Sequence, residues 1–384
     1  MRVIPPLTID ASNLTSTTVS EPSAGESTWS SGTVYKAGDT VIDTATHRTF
    51  QSQQGSQSVV TISIASPGVV SWPVHGLAAG APIVFSTTGA LPTGLTAGTI
   101  YYVLADTTDT FKLATTIGGT AINTTGSQSG IHTATGNPNK GHDPVTDAGL
   151  WWVDVGPSNK WAMFDLDRST GTTDATSIEV VITPGQRIDS MALVGLVAEQ
   201  VRVQMTSGAS TIYDETFDLR TRIVTTWYEH LTTPFSYLNV LALFDLPSVS
   251  DCVLTVTSSR AVGDVTCGGL IIGRQVYLGS TLYGAENDAT NYSRIERDED
   301  GNASLTRRRS VPRTVQTIRF LKDRSSKLLE IRRQLNATPA FWSGLDDPNN
   351  GYFEPLQILG VYRGFKLTMD QFERGVLSLE LEEI

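Results

Sequence analysis

The chain has 384 residues, length enough for about two to four domains, and its formal charge of −11 argues against a general nucleic-acid binder. No apolar run reaches the ~18–20 residues of a membrane span, and the opening MRVIPPLTID lacks the apolar core of a secretory signal. A bias toward Thr, Ser and Gly favours β-structure with many turns, and two cysteines, Cys252 and Cys267, make no disulfide scaffold. They read as two buried thiols, with a cross-sheet pair as the alternative.

Residues 1–28 form a Pro/Ser/Thr-rich lead. Val3-Ile4 and residues 7–9 have the character of a short edge strand, an extended arm toward a neighbouring subunit, or a frayed end. An aromatic module follows in two pieces, 29–56 and 137–160. Trp29, Tyr35, Gly38-Asp39, Val41 and Phe50 open it, and Gly141-His142-Asp143-Pro144 and Trp151-Trp152 close it. Gly38-Asp39 supplies a turn, since Gly takes positive φ freely and Asp caps its own backbone. Val41 and Phe50 read as strand residues. A module this small needs several aromatics for a core, with Trp151 or Trp152 the ring that reaches the surface.

Between the pieces, residues 57–136 read as an inserted β-domain. Strands are expected at 59–64, 68–72, 83–85, 101–104 and 110–113, with turns at 91–94 and 117–119. His75, with no acidic or nucleophilic neighbour, reads as a turn histidine.

Residues 161–275 alternate polar and apolar over 177–183, 190–196, 200–205, 210–217 and 253–258, the pattern of a central antiparallel β-sandwich. Residues 223–238, with Trp227-Tyr228 and Pro234-Phe235, read as a loop and strand covering its end. Residues 276–384 form an α+β domain. An acidic patch at 296–300 and a basic run from Arg294 to Arg333 suggest a solvated face or a subunit contact. Phe320, Leu321, Leu328, Ile331 and Leu335 form one apolar stripe and predict a helix over 315–335, ended by Asn336 and Pro339. Strands are expected at 340–342, 352–354 (after a turn at 346–351), 358–362, 364–367 and 376–381.

The order W…Y-x-x-G-D-x-V…F…P…W resembles the small chitin-binding type of carbohydrate-binding module. That resemblance implies a short twisted sheet in which Trp29, Tyr35, Trp151 and Trp152 stack on glycan. In the insert, His75-Gly76-Leu77, Leu91-Pro92-Thr93-Gly94-Leu95, Gly98-Thr99-Ile100-Tyr101-Tyr102-Val103 and Phe111-Lys112-Leu113-Ala114 resemble a module of bacteriophage tail and fibre proteins, which implies a surface-displayed decoration. The sandwich is similar to jelly-roll domains of the galactose-binding type.

Outside the insert the chain resembles a family of phage tail proteins nearly end to end. The residues that carry this are Met1-Arg2-Val3-Ile4-Pro5-Pro6-Leu7-Thr8-Ile9, Thr46-His47-Arg48, Gly141-His142-Asp143-Pro144, Trp151-Trp152, Trp161-Ala162-Met163-Phe164-Asp165, Gly273-Arg274, Tyr283-Gly284, Tyr292-Ser293-Arg294 and the last eight residues, 377–384. The resemblance implies a structural protein of the virion tail tip or baseplate, made in the host cytoplasm. Its C-terminal domain, similar to tail-tube and distal-tail folds, would join a homo-oligomeric ring, a trimer or hexamer, with other tail proteins as partners. Host-surface polysaccharide is the alternative partner.

An enzyme is not expected. None of the five histidines has metal-ligand or triad-like spacing, and phosphate-binding Gly-rich loops are absent. Paired carboxylates such as Asp165/Asp167 or Asp214/Glu215 arise by chance among 39 acids. No cofactor or metal is called for. Two readings remain: an assembly component, or a host-attachment protein that binds glycan through its aromatics.

Overall fold

The computed structural model describes residues 1–104, 107–147, 149, 151–221, 224–297, 300–344 and 354–384. The chain is mainly β and divides into two compact units, Pro22–Ser158 and the remainder, Met1–Glu21 with Asn159–Ile384.

Pro22–Ser158 holds two β-structures. One is an antiparallel sheet of Thr40–Asp43, Arg48–Ser52 and Trp152–Pro157, with Arg48–Ser52 in the middle. The other is a closed six-stranded barrel. Alternation sends Val60 and Ile62 into the barrel, where they meet Trp72, Phe85, Tyr101 and Phe111. The strand that closes it, His132–Gly136, pairs with both Ser56–Ile62 and Pro82–Thr87 and is absent from the sequence reading. His75 is a structural residue here. Its Nε2 lies 2.7 Å from the Thr107 carbonyl and its Nδ1 accepts from the Leu77 N–H at 2.9 Å, so both ring nitrogens are occupied. The ring edge meets Phe111.

The other unit has three layers. An outer sheet runs Ser210–Asp218, Gln200–Ser207, Cys252–Cys267, Thr172–Ile182 and Leu14–Thr17. Its inward side chains, among them Val180, Val203 and Leu254, pack against Met191, Leu193, Leu270 and Ile272 of a three-stranded sheet. The opposite face of that second sheet, with Ala192, Val194 and Ile271, packs against Ile4, Phe341 and Leu359. Ser190–Val194 and Gly269–Gly273 are therefore buried at every position. The alternation expected over 190–196 therefore does not separate a wet face from a buried one: Ser190–Val194 is buried on both. Cys252 and Cys267, at opposite ends of one strand, are free buried thiols, and burial pushes the Cys267 thiol up to about 12.

The third layer is an eight-stranded sheet in the order Val276–Tyr277, Arg2–Ile4, Ala340–Ser343, Gln357–Thr368, Arg374–Glu383, Ser310–Leu321 and Ser280–Thr281, with Glu286–Asn291 also on Ser310–Leu321. Arg2–Ile4 is an interior strand, paired on both sides, and Met1, Val3 and Ile4 are buried. The start of the lead is thus neither an edge strand nor a free arm. A Cβ at Gly273 would collide with the Pro5 carbonyl, so only glycine lets this segment lie so close.

The helix expected over 315–335 begins ten residues late. Ser310–Leu321 is a strand, and the helix is Ser325–Gln334. Thr314, Gln316, Ile318 and Phe320 point inward with a period of two. Two polar residues in that inward row disguised the period, and Phe320 and Leu321 also fit a helical stripe. The helix lays Leu328 and Ile331, with Leu335 after them, against Ile318, Phe320, Leu377 and Leu379. The expected turn at 346–351 and the residues Tyr352 and Phe353 lie outside the described residues.

Near the chain's end Glu383 is buried and accepts from Arg168 Nη1 at 2.6 Å and Arg309 Nη2 at 3.1 Å. It ties a sandwich loop to the eight-stranded sheet with charge-assisted hydrogen bonds. Replacing Val3 by Asp would bury an unpaired carboxylate between two strands. The expected loss is about 3–5 kcal/mol, measured by chemical denaturation.

Candidate functional site

The aromatic module of Pro22–Ser158 is built around one small core of Tyr35, Val41, Phe50 and Trp152, with Trp29 and Trp151 packed against it and half-buried. Gly38 takes φ 92° and Asp39 Oδ2 accepts from the Lys36 N–H at 3.0 Å, which makes the turn between Tyr35 and the first strand. Val41 and Phe50 pair across that hairpin.

The four aromatic residues singled out from the sequence gather at this core, but they do not share one exposed face. Trp152 is fully buried. Its ring meets Tyr35 edge-on, with centroids 5.2 Å apart, and its Nε1 donates to the His142 carbonyl at 2.7 Å. Tyr35 is buried as well, and its hydroxyl accepts from the Ser30 N–H. Neither ring offers a face to a sugar, which corrects the expectation of a four-ring platform. The physical reason is size: a three-stranded sheet this short has little else with which to exclude water.

Trp151 and Trp29 are the two rings left for a ligand. Trp151 stacks on His142, with centroids 3.8 Å apart and planes 13° from parallel. His142 Nδ1 lies 3.1 Å from Asp147 Oδ2. The Trp151 carbonyl accepts from Gln53 N–H and from Asn139 Nδ2, and Asn139 also donates to Ser52 Oγ. These bonds fix the backbone that carries the ring. Trp29 Nε1 is buried and has no hydrogen-bond partner among the described residues. The same module has a polar cleft of about 630 Å³ lined by Ser27, Thr28, Thr33, Asp39 and Thr40 beside Tyr35. Its hydroxyls and carboxylate suit a hydroxyl-rich ligand.

A second aromatic surface escaped the sequence reading. In the other unit, the stretch 223–238 contains the expected strand only as Ser236–Tyr237, and residues 227–232 form a short helix in place of loop; Ile223 lies outside the described residues. Thr226 and Glu229 make a reciprocal capping box, a signal present in the sequence as T-x-x-E. Trp227, Tyr228 and Leu231 on this helix are each at least three-quarters exposed. Arg220 lies over Phe235 and Arg260 over Tyr237 nearby. The Arg220 guanidinium holds the Asp218 carboxyl down at about 2.

Among the described residues no group of three or more His, Cys, Asp or Glu is placed to hold a metal ion, and no helix is long and apolar enough to cross a membrane. No protein-family model matches the chain, and no curated protein matches it.

Trp152→Ala should cost the aromatic module about 3–5 kcal/mol, whereas Trp151→Ala, at a half-buried ring, should cost roughly 1 kcal/mol. Thermal unfolding of Pro22–Ser158 within the full chain, followed by indole fluorescence, separates the two.

Proposed function

We propose that the chain is a structural component of a phage tail tip or baseplate, in which Met1–Glu21 with Asn159–Ile384 assembles around the tail axis and Pro22–Ser158 is displayed. The observation that carries this reading is a convergence. Of the residues that bear the resemblance to tail proteins, Met1 to Ile4, Gly273-Arg274, Tyr283-Gly284, Tyr292-Ser293-Arg294 and residues 377–384 belong to, or border, the one eight-stranded sheet and the ribbon that leaves it, while Thr46-His47-Arg48, Gly141-His142-Asp143-Pro144, Trp151-Trp152 and Trp161-Ala162-Met163-Phe164-Asp165 lie elsewhere. A sheet that gathers such residues from distant parts of the chain suits an element that meets other subunits. A closed ring, a trimer or hexamer, is the arrangement this predicts, because repeated identical contacts close by rotation.

Antibodies raised against Pro22–Ser158 should decorate one end of intact tails in negative-stain micrographs. Purified particles that lack the protein would sink the reading.

Glycan binding is the second reading, and Trp151 favours it. This half-buried indole, held by backbone hydrogen bonds and braced on His142, has the rigidity that sugar stacking requires. Replacing Trp151 with Ala should cut retention on host-surface polysaccharide by about tenfold, the effect of losing roughly 1.4 kcal/mol, with the melting profile largely kept. Unchanged retention removes the residue from any glycan site.

A further inference from the structure

Near the end of Ser310–Leu321, Arg319 and Leu321 leave the strand on the same side and are exposed, while Ile318 and Phe320 turn inward. Arg374 of the neighbouring strand pairs directly with Leu321. It is therefore the diagonal neighbour of Arg319, about 7–8 Å away and within reach of a long side chain. On the other flank Ser280 pairs with Arg319. Gly279 lets this flank close: a Cβ there would collide with the Arg319 carbonyl, and the residue's φ of 144° suits glycine.

Ser280, Arg319, Leu321 and Arg374 line one cleft of about 440 Å³ together with Tyr277 and Arg324. Arg324 is fixed in place. Its guanidinium lies 5.3 Å from the centre of the Tyr277 ring, and its Nη1 donates to the Tyr277 carbonyl at 3.2 Å. The cleft thus holds three guanidiniums and a serine hydroxyl, and no carboxylate lines it. Asp323 and Glu373 precede Arg324 and Arg374 in the chain, yet among the described residues neither forms an ion pair with them. Arg319 and Arg374 make no side-chain hydrogen bond there either. Elsewhere on this acidic chain arginines are met by acids: Arg202 by Asp214, Arg220 by Asp218 and Arg363 by Glu382.

We propose that this cleft binds a phosphate group. A guanidinium is always charged, and its planar fork of N–H donors matches phosphate oxygens two at a time. Three such cations in one cleft repel one another. A doubly charged oxyanion among them replaces that repulsion by attraction, and does so more fully than a singly charged carboxylate. The cleft's volume lies in the range of small-molecule sites, and Leu321 and Tyr277 give the organic part of a phosphate ester an apolar wall. Neither the assembly reading nor glycan stacking on Trp151 is needed for this site.

Titration calorimetry of the full chain at constant ionic strength tests it with three probes: inorganic phosphate, glycerol 3-phosphate and acetate. The phosphates should bind one to one with a Kd of about 1 mM or tighter, and acetate about tenfold more weakly. Affinity should fall below about pH 6, where phosphate loses its second charge. Tighter glycerol 3-phosphate marks an ester as the ligand; tighter inorganic phosphate marks the free ion. Arg319→Gln and Arg374→Gln, at exposed positions that should keep the wild-type circular dichroism, should each weaken phosphate binding by about tenfold or more. Arg294→Gln, which removes an exposed arginine paired with Glu296, should leave it unchanged. The proposal is overturned by absence of saturable phosphate binding, by acetate binding as tightly, by cleft variants that bind like wild type, or by an equal loss in Arg294→Gln.

Discussion

The pairing of Arg2–Ile4 between Val276–Tyr277 and Ala340–Ser343 is the constraint on which the larger unit depends. It puts Val3 on one face of the eight-stranded sheet, in the core with Trp342 and the helix, and Ile4 on the other, against the three-stranded sheet. One short strand thereby belongs to two cores. The middle sheet can be apolar on both sides only because a sheet covers each of them. Gly273, at the end of a middle strand, and the Glu383 clamp keep the layers in register: one admits the Pro5 backbone, the other bridges Arg168 and Arg309.

In the aromatic module the same residue type serves two purposes, divided by burial. Trp152 and Tyr35 exclude water from a sheet too small to do so with aliphatics. Trp151, one position away in the turn before the strand, is half-buried and rests on His142. Any ligand contact is thus supported by a core that its own neighbours form. Were Trp152 lost, Trp151 would lose its platform too.

Much of the fold was legible in the sequence. Period-two alternation found Gln200–Ser207 and Ser210–Asp218 near their true ends, but it began inside Thr172–Ile182 and stopped well short of the end of Cys252–Cys267. It failed at Ser310–Leu321, which has Thr314 and Gln316 inside, so its apolar residues no longer alternate cleanly, and the stripe from Phe320 to Leu335 suggested a single helix. The depth of Arg2–Ile4 was invisible, since its partners lie more than 270 residues away along the chain. At the candidate site, the gathering of Trp29, Tyr35, Trp151 and Trp152 could be read from their spacing. Which of them faced outward could not, because adjacent tryptophans give alternation no preferred phase. The exposed Trp227 helix shows the converse: its capping box was written in the sequence, while exposure of so large an apolar side chain runs against ordinary burial preference.

The interior position of Arg2–Ile4 also orders events in time. On the ribosome this segment is made long before one of the strands that flank it, Ala340–Ser343. At ~5–20 residues per second, Val3 and Ile4 wait about 20–70 s for that partner. Sheets closed by such distant pairings form slowly. Until closure, the middle sheet lacks cover on one face and presents Ala192, Val194 and Ile271 to solvent.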